Sequence, residues 1–392
     1  MSLGGTLIIG AGQGGLQLAV SLRQAGYAGP VTLVGAEHGL PYQRPPLSKA
    51  YLLEGRAEAL TLRPASFFTG KDVTYLSGHL AEAIDRDART VTLRHDGSLR
   101  VLSYDHLVLA TGARNLTPPI AGAERALGLR SLSDAQVLRD RLPQARWVAV
   151  IGGGFIGLEF AAVARKLGLE VAVIEAAPRL LSRAVSGPMA ATLAAWHQAQ
   201  GVALHLGQGA VAVDDAGVTL SDGSHITADL VLMAVGVRPD TALAEAAGLE
   251  VADGVRLDGQ LRSSDPAISA LGDCASAPCA RTGRHLRLES VQAATDQARL
   301  IAARIAGAAP ADYTALPWFW SDQGACKLQI AGHAGLGARD EALSPDTVAR
   351  FDDHGLAAIE TLNNPRAHMA ARRHLSAPDP DVDLFLNSLI AA

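Results

Sequence analysis

The stretch Thr6-Leu-Ile-Ile-Gly10-Ala-Gly12-Gln-Gly14-Gly15 is a short apolar run that ends in a glycine-rich turn. A helical pattern follows over Leu16–Ala25, and Val31–Val34 is a second apolar run. The same order returns later. Trp147–Ile151 enters Gly152-Gly-Gly154-Phe-Ile-Gly157, a helical stretch spans Leu158–Leu167, and Val171–Ile174 reads as the next strand. Strand, G-x-G-x-x-G, helix, strand is the βαβ unit that binds dinucleotides. Its first glycine permits the tight turn, its second lets backbone approach a pyrophosphate, and its third lets helix and strand pack closely. The phosphates sit at the helix N-terminus, where free N–H groups and the dipole favour negative charge. An acid roughly 20 residues on holds ribose hydroxyls in such units. Glu37 and Glu175 take that place here. The chain therefore reads as binding two dinucleotides.

Composition sets the outer limits. A chain of 392 residues is longer than one domain of about 150 residues. It is 48% hydrophobic and 19% charged, enough to bury real cores. A net charge of −5 gives no support to a nucleic-acid partner. No apolar run approaches the roughly 20 residues of a membrane span. The N-terminus has no basic region or signal-length apolar core, and Met1–Leu3 reads as an extraneous addition. Cys274, Cys279 and Cys326 make no disulfide framework. No metal site is expected. The sequence reads as a cytoplasmic protein with neither membrane nor nucleic acid among its partners.

Two nucleotide sites on one chain suggest a flavoprotein that takes hydride from a nicotinamide. Leu107-Val-Leu-Ala-Thr-Gly-Ala113 is an apolar strand ending in an Ala-Thr-Gly turn, and Leu230–Pro239 is its counterpart after the second unit. Ile268-Ser-Ala-Leu-Gly-Asp-Cys274 is a strand ending in Gly-Asp. With these segments the sequence resembles the flavin disulfide reductase superfamily, an α/β class with two Rossmann-like dinucleotide-binding domains. There the aspartate matching Asp273 holds the flavin ribityl chain.

The resemblance sharpens at Leu40-Pro-Tyr-Gln-Arg-Pro-Pro-Leu-Ser-Lys-Ala50, Arg130-Ser-Leu-Ser-Asp-Ala135, Glu289-Ser-Val291 and Pro317-Trp-Phe-Trp-Ser-Asp-Gln323. Together these are similar to the NADH-dependent FAD ferredoxin reductases of bacterial oxygenase systems. That resemblance implies an FAD domain over 1–112 and 236–312, an NAD domain over 113–235, and a C-terminal α+β domain over 313–392. It implies a Lys49–Glu159 ion pair beside the nicotinamide, with Lys49 near the flavin. Lys49 is one of only four lysines, on a loop preset by Pro45-Pro46. The cofactor-binding set it implies comprises the motif glycines Gly10, Gly12, Gly14, Gly15, Gly152, Gly154 and Gly157, with Glu37 and Glu175. Arg44, Ala81, Ala110, Thr111, Gly112 and Arg130 join them, as do Ile156, Arg183, Gly236, Asp273, Val291 and Trp320.

Two departures from the family pattern stand out. Gly35-Ala36-Glu37 shifts the ribose acid by one position, and the loop Gly324-Ala-Cys326 is smaller than usual, which implies a different partner surface. The redox cysteines of disulfide-reducing relatives are missing. Residues 35–60 hold no cysteine, and Cys274 and Cys279 follow the Gly-Asp motif instead. Electrons must then leave the flavin for an outside acceptor.

The function implied is transfer of hydride from NADH to FAD, then of single electrons to a small acidic [2Fe–2S] ferredoxin feeding a P450 or Rieske oxygenase. Two alternatives stay open. The acceptor could be rubredoxin or another oxidant, or the chain could be an FAD and NADH binding protein like the apoptosis-inducing factors. An acidic ferredoxin on a net-negative reductase needs a local basic patch. Arg281, Arg284, Arg287, Arg366, Arg372 and Arg373 are the candidates. Arg179 and Arg183, close to Glu175 in sequence, could admit the 2′-phosphate of NADPH.

Overall fold

The structure is a computed structural model that describes residues 4–377 and 381–390. Met1–Leu3, read above as an addition, lie outside the described residues. The chain divides into two compact units. One takes residues 1–43, 58–114 and 238–315; the other takes 44–57, 115–237 and 316–392. The sequence division places 44–57 in its first stretch, yet these residues pack with the second unit. Arg44, Tyr51 and Lys49 all find their partners there, as described below.

The first unit is built on a five-stranded sheet in the order Ile268–Ala270, His106–Leu109, Thr6–Ile9, Val31–Gly35, Val73–Ser77. Every neighbouring pair is parallel. Parallel sheets are covered on both faces, so their strands are continuous apolar runs without alternation. Thr6–Ile9 is buried at every position. Helices Gln13–Gln24 and Val291–Ile305 pack against each other. Gly14 makes room between them: a Cβ there would lie 2.3 Å from Leu271 Cδ1 and 3.3 Å from Ala294 Cβ. A three-stranded antiparallel sheet over 80–103 and a four-stranded sheet over 251–287 complete the unit.

In the second unit a four-stranded parallel sheet runs Val202–Leu206, Glu170–Glu175, Trp147–Ile151, Leu230–Met233. Both glycine-loop helices start three residues before the apolar pattern indicates, at Gln13 and Phe155. The physical reason is that the last glycine of each loop, Gly15 or Gly157, already lies in the first helical turn. The C-terminal part is α+β. Its five-stranded antiparallel sheet runs Trp318–Gln323, Cys326–Gly332, Gly355–Leu362, Thr347–Asp352, Arg339–Ser344. Ala331, Ala349 and Ile359 of that sheet share a core with Ala371 and Phe385 of helices Pro365–Leu375 and Val382–Ile390.

Candidate functional site

The two glycine loops repeat each other at their three motif glycines. Gly10 and Gly152 take φ of +112° and +110°, a region that L side chains avoid. A Cβ on either would meet a carbonyl, Ala110 O at 2.1 Å or Ala234 O at 2.4 Å. Gly15 and Gly157 fold back on their own loops, where a Cβ would lie 1.9 Å from Gly10 O or 2.2 Å from Gly152 O. The middle glycines differ. Gly12 and Gly154 have φ of −74° and −85°, which any residue adopts. A Cβ on Gly12 would meet nothing within 4 Å, and one on Gly154 only Ala234 O at 4.0 Å. Neither backbone nor packing demands glycine there, so the space left open fits a ligand approaching each helix N-terminus. No side chain caps either helix, leaving its first N–H groups for that ligand.

Around the first loop, Ala110 N–H donates to Ile9 O at 2.7 Å, and Thr111 Oγ1 donates to Asp240 O at 2.6 Å. Gly112 has φ +72°. Glu37 lies just past a strand that extends to Gly35, and it accepts from Tyr42 Oη at 2.6 Å. Asp273 sits half-buried in the single turn Gly272–Cys274, whose Gly272 N–H donates to Gln297 Oε1 at 2.7 Å. Ala81 pairs with Leu93 in the small antiparallel sheet, and Val291 opens its helix.

Around the second loop, Glu175 ends its strand and braces the turn. It accepts from Gly153 N–H and Ala177 N–H, both at 2.8 Å. Ile156 lies in the first helical turn. Gly236, at φ +110°, leaves room for Arg183, whose Nη2 is 3.6 Å from where a Cβ would stand. Arg179 is engaged elsewhere, donating to Val185 O and Ser182 O at 2.9 Å. Of the two arginines named from sequence, Arg183 alone stands beside another predicted cofactor residue.

Lys49 Nζ lies 2.9 Å from Glu159 Oε1, and the carboxylate is almost wholly buried. The loop that delivers Lys49 is the short helical turn Pro45–Ser48, stiffened by its two prolines. Arg44 Nη1 donates to Arg130 O at 2.6 Å, so two residues predicted separately meet. Tyr51 Oη reaches Gln136 Oε1 at 2.6 Å on helix Leu132–Arg141, whose N-terminus carries a Ser131/Asp134 capping box. Sequence reasoning missed two further partners of Glu159. Ser48 Oγ donates to Oε2 at 2.5 Å, and Ser321 Oγ donates to Oε1 at 2.7 Å. The signal was spacing: Phe155 and Glu159 share a helix face at i,i+4, and Phe319 and Ser321 share a strand face at i,i+2. The Phe155 and Phe319 rings are 4.5 Å apart, which fixes that register.

A family model described as pyridine nucleotide-disulphide oxidoreductase matches residues 5–298. The chain belongs to that family. A second model, for the reductase C-terminal region, matches 318–383. Rhodocoxin reductase of Rhodococcus erythropolis is 43% identical, with 97% of this chain and 93% of the relative covered. Among solved structures, the ferredoxin reductase for the CYP199A2 system of Rhodopseudomonas palustris is 42% identical with a TM-score of 0.92, covering 98% of this chain and 99% of its own. The putidaredoxin reductase of a covalent complex with putidaredoxin is 35% identical with a TM-score of 0.91, covering 100% and 99%. The cofactors of this family branch are FAD and NAD(H), and the two open loops fit them.

Other features separate this member from disulfide-reducing ones in the same family. Cys274, Cys279 and Cys326 are buried and joined in no disulfide. Cys274 Sγ points to Leu271 O and Leu109 O, and burial pushes its pKa up. Burial raises the Cys326 thiol to about 11. Such groups stay protonated and make poor nucleophiles. Within the fold, the small Gly324 turn packs against helix Gly187–Ala199. Gly324 has φ +62°, and a Cβ there would lie 2.6 Å from Trp196 Cη2. The basic-patch candidates need correcting. Arg287 is already spent on Asp253, at 2.9 Å, and on Glu289, while Arg372 stacks 4.2 Å above the Trp318 ring. Trp318, Phe319 and Trp320 are all half-buried. Among the described residues, no group of His, Cys, Asp and Glu is arranged to hold a metal, and no helix is long and apolar enough to cross a membrane.

Proposed function

We propose that this chain is an NADH:ferredoxin reductase of the cytoplasm, serving a P450 or Rieske oxygenase through a small acidic [2Fe–2S] ferredoxin. The observation that carries the reading is the pair of glycine loops, each open only at its middle glycine, together with three thiols that are all buried and joined in no disulfide. The likeness to reductases whose names include rhodocoxin and putidaredoxin supports the same acceptor class. Bound FAD supplies the change from two-electron hydride chemistry to one-electron transfer. This chain's residues bind and orient. Gly10, Gly12 and Gly15 shape the FAD phosphate cradle, and Glu37 and Asp273 hold ribose and ribityl hydroxyls. Gly152, Gly154 and Gly157 cradle the NADH phosphates, and Glu175 takes the adenosine ribose. Lys49 and Glu159 fix a buried charge pair on the helix behind that cradle; removing one partner leaves the other uncompensated. Hydride transfer needs no general base, so the pair positions the reactants and does not move a proton.

The test is a steady-state assay with NADH and a panel of acceptors. Rapid multiple turnover with a [2Fe–2S] ferredoxin, well above that with rubredoxin or oxygen, is the expected outcome. Faster turnover with rubredoxin would reassign the acceptor. A long-lived NADH complex with slow turnover on every acceptor would make the chain a binding protein.

A further inference from the structure

The Glu159 carboxylate does not end at Lys49 and the two serines. Behind Ser321 the polar contacts continue inward. Gln323 Nε2 donates to Ser321 Oγ at 3.3 Å, and His197 Nε2 lies 2.9 Å from Gln323 Oε1. Ser321, Gln323 and His197 are all 0% exposed. We propose that His197, Gln323 and Ser321 form a one-way hydrogen-bond chain that fixes the Glu159 carboxylate against Lys49, making them positioning residues for hydride transfer from NADH. This rests on the NADH-oxidising reading above.

The direction of the chain follows from its charged end. A carboxylate only accepts, so Ser321 must donate its one hydrogen to Glu159. The Ser321 oxygen is then left to accept, which turns the Gln323 amide nitrogen towards it and the amide oxygen away. That oxygen accepts in turn, so His197 carries its hydrogen on Nε2. Its Nδ1 is buried without a partner. Burial also lowers the readiness of His197 to take a second proton, keeping the ring neutral. Every link thus donates towards Glu159. With Lys49 and Ser48, three donors converge on one carboxylate and leave it a single orientation.

The elements that bring these residues together are built for the purpose of exclusion. Ser321 and Gln323 lie on the strand face that packs on helix Phe155–Lys166. Helix Gly187–Ala199 supplies His197, and its neighbour Trp196 covers Gly324 at the turn of the hairpin. Glycine at 324 is what admits that ring. Water is kept from a row of polar groups that an apolar core would otherwise replace.

The test uses the flavin-loaded protein. With histidine labelled with nitrogen-15, ring nitrogen shifts should show His197 protonated on Nε2 and bare on Nδ1. Flavin reduction by NADH is followed by stopped flow without any ferredoxin, so the identity of the acceptor does not enter. Ser321→Ala should lower the limiting reduction rate about tenfold, the scale of one lost bond to a charged group, and Gln323→Met, which loses a bond to the neutral Ser321 hydroxyl, about fivefold, with little change in half-saturating NADH. Ser321→Thr keeps the hydroxyl and should recover most of the rate. In a Glu159→Gln background, adding Gln323→Met should change the rate less than about twofold, because the chain then ends on no charge. A hydrogen on Nδ1 of His197, or an undiminished effect of Gln323→Met in that background, overturns the proposal. If Gln323→Met does not fold, Ser321→Ala against Ser321→Thr, alone and with Glu159→Gln, decides it. Should the wild type not oxidise NADH at all, the functional reading has failed, and the His197 tautomer still judges the chain.

Discussion

At the scale of single residues, the glycines separate folding from binding. Gly15→Ala would drive a methyl into Gly10 O, and overpacking of this kind costs about 1–3 kcal/mol or more. Gly12→Ala and Gly154→Ala meet open space in the protein, so their urea unfolding midpoints should match wild type. Each should nonetheless weaken its own cofactor, FAD for Gly12 and NADH for Gly154, by roughly tenfold or more, for want of one group's close approach. Midpoints that fall as far for Gly12→Ala as for Gly15→Ala would mean that the middle glycine serves packing. Glu175 governs the choice of nicotinamide. Its carboxylate already braces Gly153 and Ala177, and a 2′-phosphate there would meet a like charge. That juxtaposition costs several kcal/mol, so kcat/KM for NADH should exceed that for NADPH by about 100-fold or more. Equal values would hand the phosphate to Arg183.

At the scale of elements, helix Pro365–Leu375 carries two opposed faces. Its inner face buries His368 against Trp318, with ring centroids 6.1 Å apart. Burial, and then the nearby Arg372, depress His368 to about 4. An unfolded histidine titrates near 6.5. The unfolded chain therefore gains a proton between pH 6.5 and 4 that the folded one refuses, and stability falls as pH falls through that window. The loss attributable to His368 is about 3 kcal/mol at most. Urea unfolding at pH 7 and at pH 4.5 measures it: His368→Phe should flatten the acid side of the profile, and an unchanged profile would show the ring solvated. The outer face of the helix presents Arg366 and Arg373, both exposed, on either side of Met369.

At the scale of the whole molecule, charge sets how an acidic partner is met. The chain is net negative, so attraction has to be local. Arg287 is neutralised by two carboxylates, and reversing it would unpair both without reporting on docking. Arg366 and Arg373 are the better probes. Ferredoxin turnover should fall as salt rises, because steering by exposed charge is screened over about 8–10 Å. Arg373→Glu should raise the KM for ferredoxin and leave that for NADH unchanged. Turnover indifferent both to salt and to that reversal would point to apolar docking.

What the sequence determined by itself was whatever is written in consecutive residues. The strands Thr6–Ile9 and Trp147–Ile151, the glycine turns that follow them and the acids beyond were legible because each βαβ unit is local and its backbone demands are met by residue type. The Lys49–Glu159 pair was legible through family likeness, since neither residue's neighbours announce it. Tertiary structure alone decided the rest. Glu159 meets Ser321, and His197 meets Gln323, across separations of 162 and 126 residues. Segment 44–57 joins the second unit for the same reason, through Tyr51 and Arg44. Glycine at 324 answers to a tryptophan ring on another helix. Contacts of this kind depend on which faces the sheets and helices bury, and periodicity marks a face without naming what it will touch.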